Sequence, residues 1–385
     1  MKKISKEFVS RRLGAPILAA SLLALAVLPL NALYAANVSA VIPVPGALEP
    51  DGLVVSPQGD QTLYVASNTP FPFNSNLIVI NTQFNTITAV TPLFVLPSAV
   101  HSRGSIQIVE NQSESLIFVD NFLTDTVDVI NEATNTQIFT ITPANVGPNP
   151  VGIAVTPDGK ELWVCNSGNG QNNGTVQVID SAPGSPTFGH AIHLINVGGS
   201  PNTVVFNSTG TLAYVLNDGV GGAGFVDLVR VSNFDIIKNN IGAQNGNILN
   251  FPNPLAMAIT SDNSTLYIAD GVTDVVNVDI PRGTTDGSIF MFRFVIPPPA
   301  NQVLGQVLVS PSQKTIVSAA TADDAVRVAS RATQRSGQPI FLPGGANPYF
   351  MAFAPNGTLY VSNFNNALVP PFGGLNSISV VTGIP

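Results

Sequence analysis

The chain has 385 residues, 15 of them basic and 23 acidic, and only 10% of its positions are charged. A net charge of −8 offers little attraction to phosphate backbones, and the single cysteine, Cys165, excludes an internal disulfide. Abundant Gly and Pro (33 and 31), with many Val and Ile runs and no composition break, fit one all-β repeat domain.

Residues 1–36 read as a cleaved signal peptide. Lys2, Lys3, Lys6, Arg11 and Arg12 form a basic start, and Ala15 to Leu30 is almost unbroken apolar chain. Small residues at Ala32, Ala35 and Ala36 offer a peptidase site, with a second candidate after Ala40. Pro16 and Pro29 disfavour a long spanning helix, so cleavage is expected over anchoring. Ser10-Arg11-Arg12 is similar to a twin-arginine signal, but Gly14 stands where a bulky apolar residue follows in such signals, which favours the general secretory route. The leader carries five basic residues and one acid, Glu7, so its loss leaves a mature charge of −12. With no cysteine near the cut and no later apolar span, the mature chain is expected in the periplasm, at the cell surface or in the medium. It is expected to be a monomer that is not membrane-embedded.

Residues 37–385 carry seven copies of one phrase. The clearest copies are Pro150-Val-Gly-Ile-Ala-Val-Thr-Pro-Asp-Gly-Lys-Glu-Leu-Trp-Val-Cys-Asn166 and Pro254-Leu-Ala-Met-Ala-Ile-Thr-Ser-Asp-Asn-Ser-Thr-Leu-Tyr-Ile-Ala-Asp270, with a third from Pro348 to Asn363. Aligned on Tyr64, Phe118, Trp163, Tyr214, Tyr267, Val317 and Tyr360, the copies are spaced 54, 45, 51, 53, 50 and 43 residues apart. Such spacings suit one four-stranded propeller blade per copy. Each first strand is apolar on both faces (Gly52 to Ser56, Ser105 to Val109, Gly152 to Thr156, Phe350 to Ala354), as a strand buried between neighbours must be. Tight turns such as Pro157-Asp158-Gly159 follow, where Pro presets φ and Gly accepts positive φ. Third strands alternate, as in Thr126 to Asn131 and Thr175 to Asp180, and fourth strands are expected at Gln137 to Ile141 and Ile289 to Phe294. The seventh copy ends with its third strand, Ser377 to Thr382, while Val38 to Val44 is an orphan before the first copy. The expectation is a seven-bladed β-propeller of four-stranded antiparallel blades, closed by the N-terminal strand completing the last blade.

The run Pro-x-Gly-Ile-Ala-Val-Thr-Pro-Asp-Gly, then Leu-Trp-Val-Cys-Asn and Val-Ile-Asp, resembles the YVTN family of β-propeller repeats over nearly all of residues 37–385. Similar repeats occur in exported surface-layer and periplasmic propellers. The resemblance implies fold and export more than activity.

Strand direction puts the inter-blade loops and the second-to-third-strand loops on one face, and these are the longer loops, so binding is expected there. The second strands end on that face with Asn68, Asn121, Asn166, Asn217, Asp270 and Asn363. This polar ring would suit a neutral protein, peptide or glycan ligand, but its recurrence in six copies favours side chains that cap turns and bond the next loop's backbone. His101 and Arg103 break the repeat at the start of the second blade and could meet an anion with Asp51 nearby. Phe71, Phe73 and Phe372 lie in Pro-rich loops of the first and last copies, where an apolar patch would mark a partner site or a lid.

Aligned residues starting the first strands are Asp51, Gly104, Val151, Asn202, Leu255, Gly305 and Tyr349, with one acid among them, so no metal is expected in the shaft and no cofactor elsewhere. His190 and His193 are expected on opposite faces of an outer strand, and no Ser-His-Asp set assembles. Asp323-Asp324 reads as a solvated turn, and Arg327, Arg331 and Arg335 as isolated surface charge on an outer strand and its following turn. The expected function is non-catalytic binding, the alternative a lactonase-like hydrolase or lyase at the central funnel with Arg103, His101 and Asp51. Nucleic acid is not an expected partner at this charge.

Overall fold

A computed structural model describes residues 36–45, 48–56, 61–68, 75–93, 107–111, 115–168, 173–219, 224–241, 253–270, 275–279, 290–292, 304–333, 335–343, 346–364 and 376–385. All of them belong to one compact unit, Tyr34–Pro385. The chain opens with β1 (Asn37–Pro43). The first sheet holds β2 (Glu49–Val55), β3 (Thr62–Asn68), β4 (Ser75–Asn81) and β5 (Thr86–Pro92), and the second β6 (Ile108–Asn111), β7 (Leu116–Asn121), β8 (Thr126–Asn131) and β9 (Thr136–Ile141). A one-turn helix, α1 (Pro143–Val146), leads to β10 (Pro150–Val155), β11 (Glu161–Asn166), β12 (Thr175–Asp180) and β13 (Ala191–Asn196). The fourth sheet is β14 (Ser200–Phe206), β15 (Leu212–Asp218), β16 (Phe225–Arg230) and β17 (Ile236–Ile241). The fifth is β18 (Pro254–Ile259), β19 (Thr265–Asp270), β20 (Val275–Asp279) and β21 (Phe290–Phe292).

The next sheet departs from this plan. β22 (Leu304–Val309), β23 (Thr315–Ala320) and β24 (Ala325–Ser330) are followed by two short strands, β25 (Arg335–Ser336) and β26 (Ile340–Phe341), which both pair with β24. Gly337 and Pro339 fall between them, and Pro has no N–H to continue a ladder. The last sheet has the order β1, β29 (Ser377–Thr382), β28 (Leu359–Asn363) and β27 (Pro348–Phe353). The molecule is therefore all-β, with antiparallel sheets in a propeller arrangement; among the described residues six have four strands and one has a divided outer strand.

Inner strands start earlier than their apolar runs suggest. β10, β18 and β27 begin at Pro150, Pro254 and Pro348, and the register slips just after each. Pro is tolerated at the first residue of a strand and beside a bulge, so the repeated Pro marks where the ladder bends. Asx residues shape the outer turns. Asn81 accepts the N–H groups of Gln83 and Phe84, each at 3.0 Å, and Asn85 closes that turn at φ 52°.

No sheet has a core of its own. Among the described residues the buried apolar side chains form seven clusters, each drawn from two neighbouring sheets. The repeat aromatic is the wedge. Tyr64 shares its cluster with Ile117 and Val119 of the second sheet, Phe118 with Leu162 of the third, and Tyr214 with Met257 of the fifth. Tyr360 of the last sheet shares its cluster with Leu53 and Leu63 of the first. Val317 holds this place in the divided sheet, against Met351 and Leu359.

Inner strands approach closely where the phrase carries glycine. A Cβ on Gly152 would lie 2.2 Å from the carbonyl oxygen of Asn202, on the inner strand of the next sheet. Gly152→Ala is therefore expected to destabilise the fold by about 1–3 kcal/mol, because the clash is with backbone and not with a movable side chain. Chemical denaturation checks this, and an unchanged midpoint would refute the close approach.

The tight-turn face is laced between sheets. The Ser208 N–H donates to Asn263 Oδ1 (2.7 Å), and the Ser261 N–H donates to Gln313 Oε1 (3.0 Å). Arg331 reaches Asp262 at 3.0 Å, whereas Arg327 pairs within its own sheet with Asp323, in the loop between second and third strands on the other face. Two of the three arginines expected as isolated charge are thus corrected, while Arg335 is exposed on the short outer strand β25. Arg327, on the third strand, pairs with Asp323 four residues upstream, and Arg331, in the turn after that strand, reaches Asp262 of the preceding sheet, a partner that local sequence does not show. The Asp262 carboxyl is held well below the usual range, chiefly by the Thr260 hydroxyl, with Ser264 and Arg331 adding.

Candidate binding face

The second strands end on one face. Pro150, Pro201, Pro254 and Pro348 pair there with Asn166, Asn217, Asp270 and Asn363. In the first sheet Pro50 pairs with Ser67, so Asn68 stands one residue beyond the position the sequence assigned it. Asn121, Asn166, Asn217, Asp270 and Asn363 are buried, whereas Asn68 is half-buried.

The buried amides tie the second strands to neighbouring elements. Asn121 Nδ2 donates to Asp128 Oδ2 (2.9 Å), Asn217 Nδ2 to Asp227 Oδ2 (3.1 Å), and Asn363 Nδ2 to Ser379 Oγ (2.8 Å). Each acceptor lies two residues along the third strand from the amide's register partner, a diagonal that puts both side chains on one face of the sheet. Asn166 Nδ2 instead holds the Val146 carbonyl at the end of α1 (2.7 Å). The Oδ1 atoms of Asn166, Asn217 and Asn363 are buried and accept no hydrogen bond from a described residue. Ser75 bridges two sheets, donating to Asn68 Oδ1 (3.3 Å) and Asn121 Oδ1 (3.0 Å).

A second group of polar side chains sits where the last, first and second sheets start. Asn68 Nδ2 donates to Asp51 Oδ2 at 3.0 Å. The charge of Asp51 acts on both Tyr349 and Asp120, so these side chains share one electrostatic neighbourhood. Asp120 is buried, with Oδ1 accepting the Gln107 N–H (2.5 Å) and Oδ2 without a hydrogen-bond partner among the described residues. Burial pushes its carboxyl well above the usual range, against the Gln107 bond, and Asp51 adds to the rise. The Tyr349 hydroxyl is also pushed up, first by burial and then by Asp51.

Sequence reasoning missed Asp120. The sign was there as a departure from the repeat, since the aligned residues elsewhere are Ala66, Cys165, Leu216, Ala269, Ala319 and Ser362. Ser362 does a related job, accepting the Phe350 N–H at 3.1 Å. A polar side chain at this position thus caps the bulged inner strand.

His101, Arg103, Phe71, Phe73 and Phe372 lie outside the described residues. His193 stacks on Phe234 (centroids 4.4 Å) on the outer strand β13, and His190 precedes that strand. Cys165 is fully buried, and burial raises its thiol far above the usual range. Among the described residues no group of three or more His, Cys, Asp or Glu is placed to hold a metal ion, and no helix is long and apolar enough to cross a membrane.

No protein-family model matches the chain, and a search of curated proteins finds no match. Among solved structures the chain is similar to hydrazine synthase of Kuenenia stuttgartiensis, at TM-score 0.66 and 16% identity over 89% of this chain and 98% of that one. It is also similar to the Cps50 (Swd1) β-propeller domain of Myceliophteria thermophila, at TM-score 0.65 and 8% identity over 90% and 100%. Streptogramin B lyase follows at TM-score 0.63 and 10% identity over 89% and 96%. At such identities the likeness establishes the β-propeller fold and nothing about chemistry.

Proposed function

We propose that the chain is an exported propeller of the YVTN type whose seven blades close into a ring and which works as a non-catalytic binding module. The divided sheet β22–β26 counts in this reading as one blade, and β1 completes the last. Pairing of β1 with β29, and packing of β2 against both β6 and β27, support closure. The partner is a protein, peptide or glycan held on the face with the inter-blade and second-to-third-strand loops.

One observation carries the binding role. The amide side chains at the second-strand ends are spent on anchoring backbone and third strands, Cys165 and Asp120 are buried, and His193 lies on the outer strand of the third sheet, stacked on Phe234. This arrangement supports a rigid platform presenting loops, not an assembled acid–base or nucleophilic set.

A thermal-shift screen of residues 37–385 with sugars, peptides, nucleotides, Ca²⁺ and a chelator tests it. A ligand at a hundred times its Kd is expected to stabilise the protein by about 2.7 kcal/mol. A drop on adding chelator, or a turnover abolished by His101→Ala and Arg103→Ala, would replace this reading with a hydrolase or lyase.

A further inference from the structure

We infer that the export peptidase cuts on the Ala35–Ala36 pair, so that the mature chain starts at Ala36 or Asn37 and not at Val41; this rests on the reading of the chain as exported. Sequence leaves two sites open, since Ala35 and Ala36 and, further on, Ala40 all supply the small residue such an enzyme needs before the cut. The chemistry is the same at each. Water adds across the peptide bond, leaving a carboxylate on the upstream alanine and an ammonium on the first mature residue.

The fold separates the two sites. β1 begins at Asn37, and Asn37, Val38 and Ala40 pair with Thr382, Val381 and Val380 of β29. The Ser39 hydroxyl donates to the Val380 carbonyl at 3.2 Å. Ala36 and Val38 pack against the cluster that holds Val361, Val381 and Ile384. A cut after Ala40 would discard all of these contacts. Only Val41, Ile42 and Pro43 would remain, paired with Ser379, Ile378 and Ser377. The far half of β29 would become an open edge, ready to pair with another chain. A cut on the Ala35–Ala36 pair keeps the outer strand whole.

The test is to express the full 385-residue chain in a host with a general secretory pathway and to measure the intact mass of the exported protein. A chain starting at Ala36 or Asn37 is expected. A chain starting at Val41 would overturn the inference while leaving export standing, whereas an uncut chain retained in the cell would sink export and the inference together. A second measurement is independent of export. Leaderless chains starting at Asn37 and at Val41 are melted side by side, and the shorter is expected to melt roughly 5 °C lower. Equal melting would remove the structural ground for the inference.

Discussion

Replacing Trp163 with alanine is expected to lower the free energy of unfolding by about 3–5 kcal/mol, the range for emptying a fully buried aromatic site. Trp163 is 0% exposed. Its ring is the wedge between the third and fourth sheets, edge-on to Phe206 at 5.3 Å and tilted against Phe234 at 6.0 Å. The indole N–H is satisfied by Glu161 Oε2 at 2.9 Å, so removing the ring also strips a partner from a carboxylate that burial already pushes up. Trp163→Phe keeps an aromatic face and is expected to recover more than half of the loss. Phe84, 68% exposed, is the control, and its alanine variant is expected to stay within about 0.5 kcal/mol of the parent. Urea titration of the three variants decides the matter; a Trp163→Ala midpoint equal to that of Phe84→Ala would show that the wedge does not hold the sheets together.

Acidification is expected to relieve a penalty at Asp128. Burial raises its carboxyl from 3.8 to about 6, although the Thr140 hydroxyl and the Asn121 amide work the other way. The raised value means that the folded chain holds this proton more tightly than the unfolded chain does. The contribution to stability is therefore fully present below pH 4 and is lost as pH rises through about 6, a difference of about 3 kcal/mol. Asp262 acts in the opposite sense, because its lowered carboxyl favours the fold until pH falls well into the acid range. The comparison that isolates Asp128 is a pH series of unfolding free energies for the parent and Asp128→Asn. The variant is expected to gain on the parent by about 3 kcal/mol between pH 3 and pH 7.5. Parallel curves would show that the buried carboxyl does not titrate in this window.

The repeat made the sheets legible because every sheet has the same needs. An inner strand must be apolar on both faces, a tight turn needs Pro, Gly or Asx, and a wedge aromatic must fill the gap to the neighbour. Polar detail was harder to read. Asn68 looks like a ring member by residue type, but it lies one residue further past its repeat aromatic than its counterparts do, so Ser67 takes the place opposite Pro50. Asp128 resembles any polar residue of an alternating strand, yet it is buried under Gln137, Thr140 and Asn121. Arg331 and Asp262 stand 69 residues apart and meet only because consecutive sheets present their turns side by side. Local pattern carries what one sheet requires; contacts between sheets depend on packing that no short window of sequence contains.

The sharing of each apolar cluster between two sheets has a consequence for how such a chain can change. What is copied in the sequence is not what stands alone in solution. A single copy excised from its neighbours exposes both flanks, and a copy deleted from the series brings together two surfaces shaped for someone else. Variation is free to accumulate in the loops, one copy at a time, while gain or loss of a whole copy requires both adjoining seams to be refitted at once.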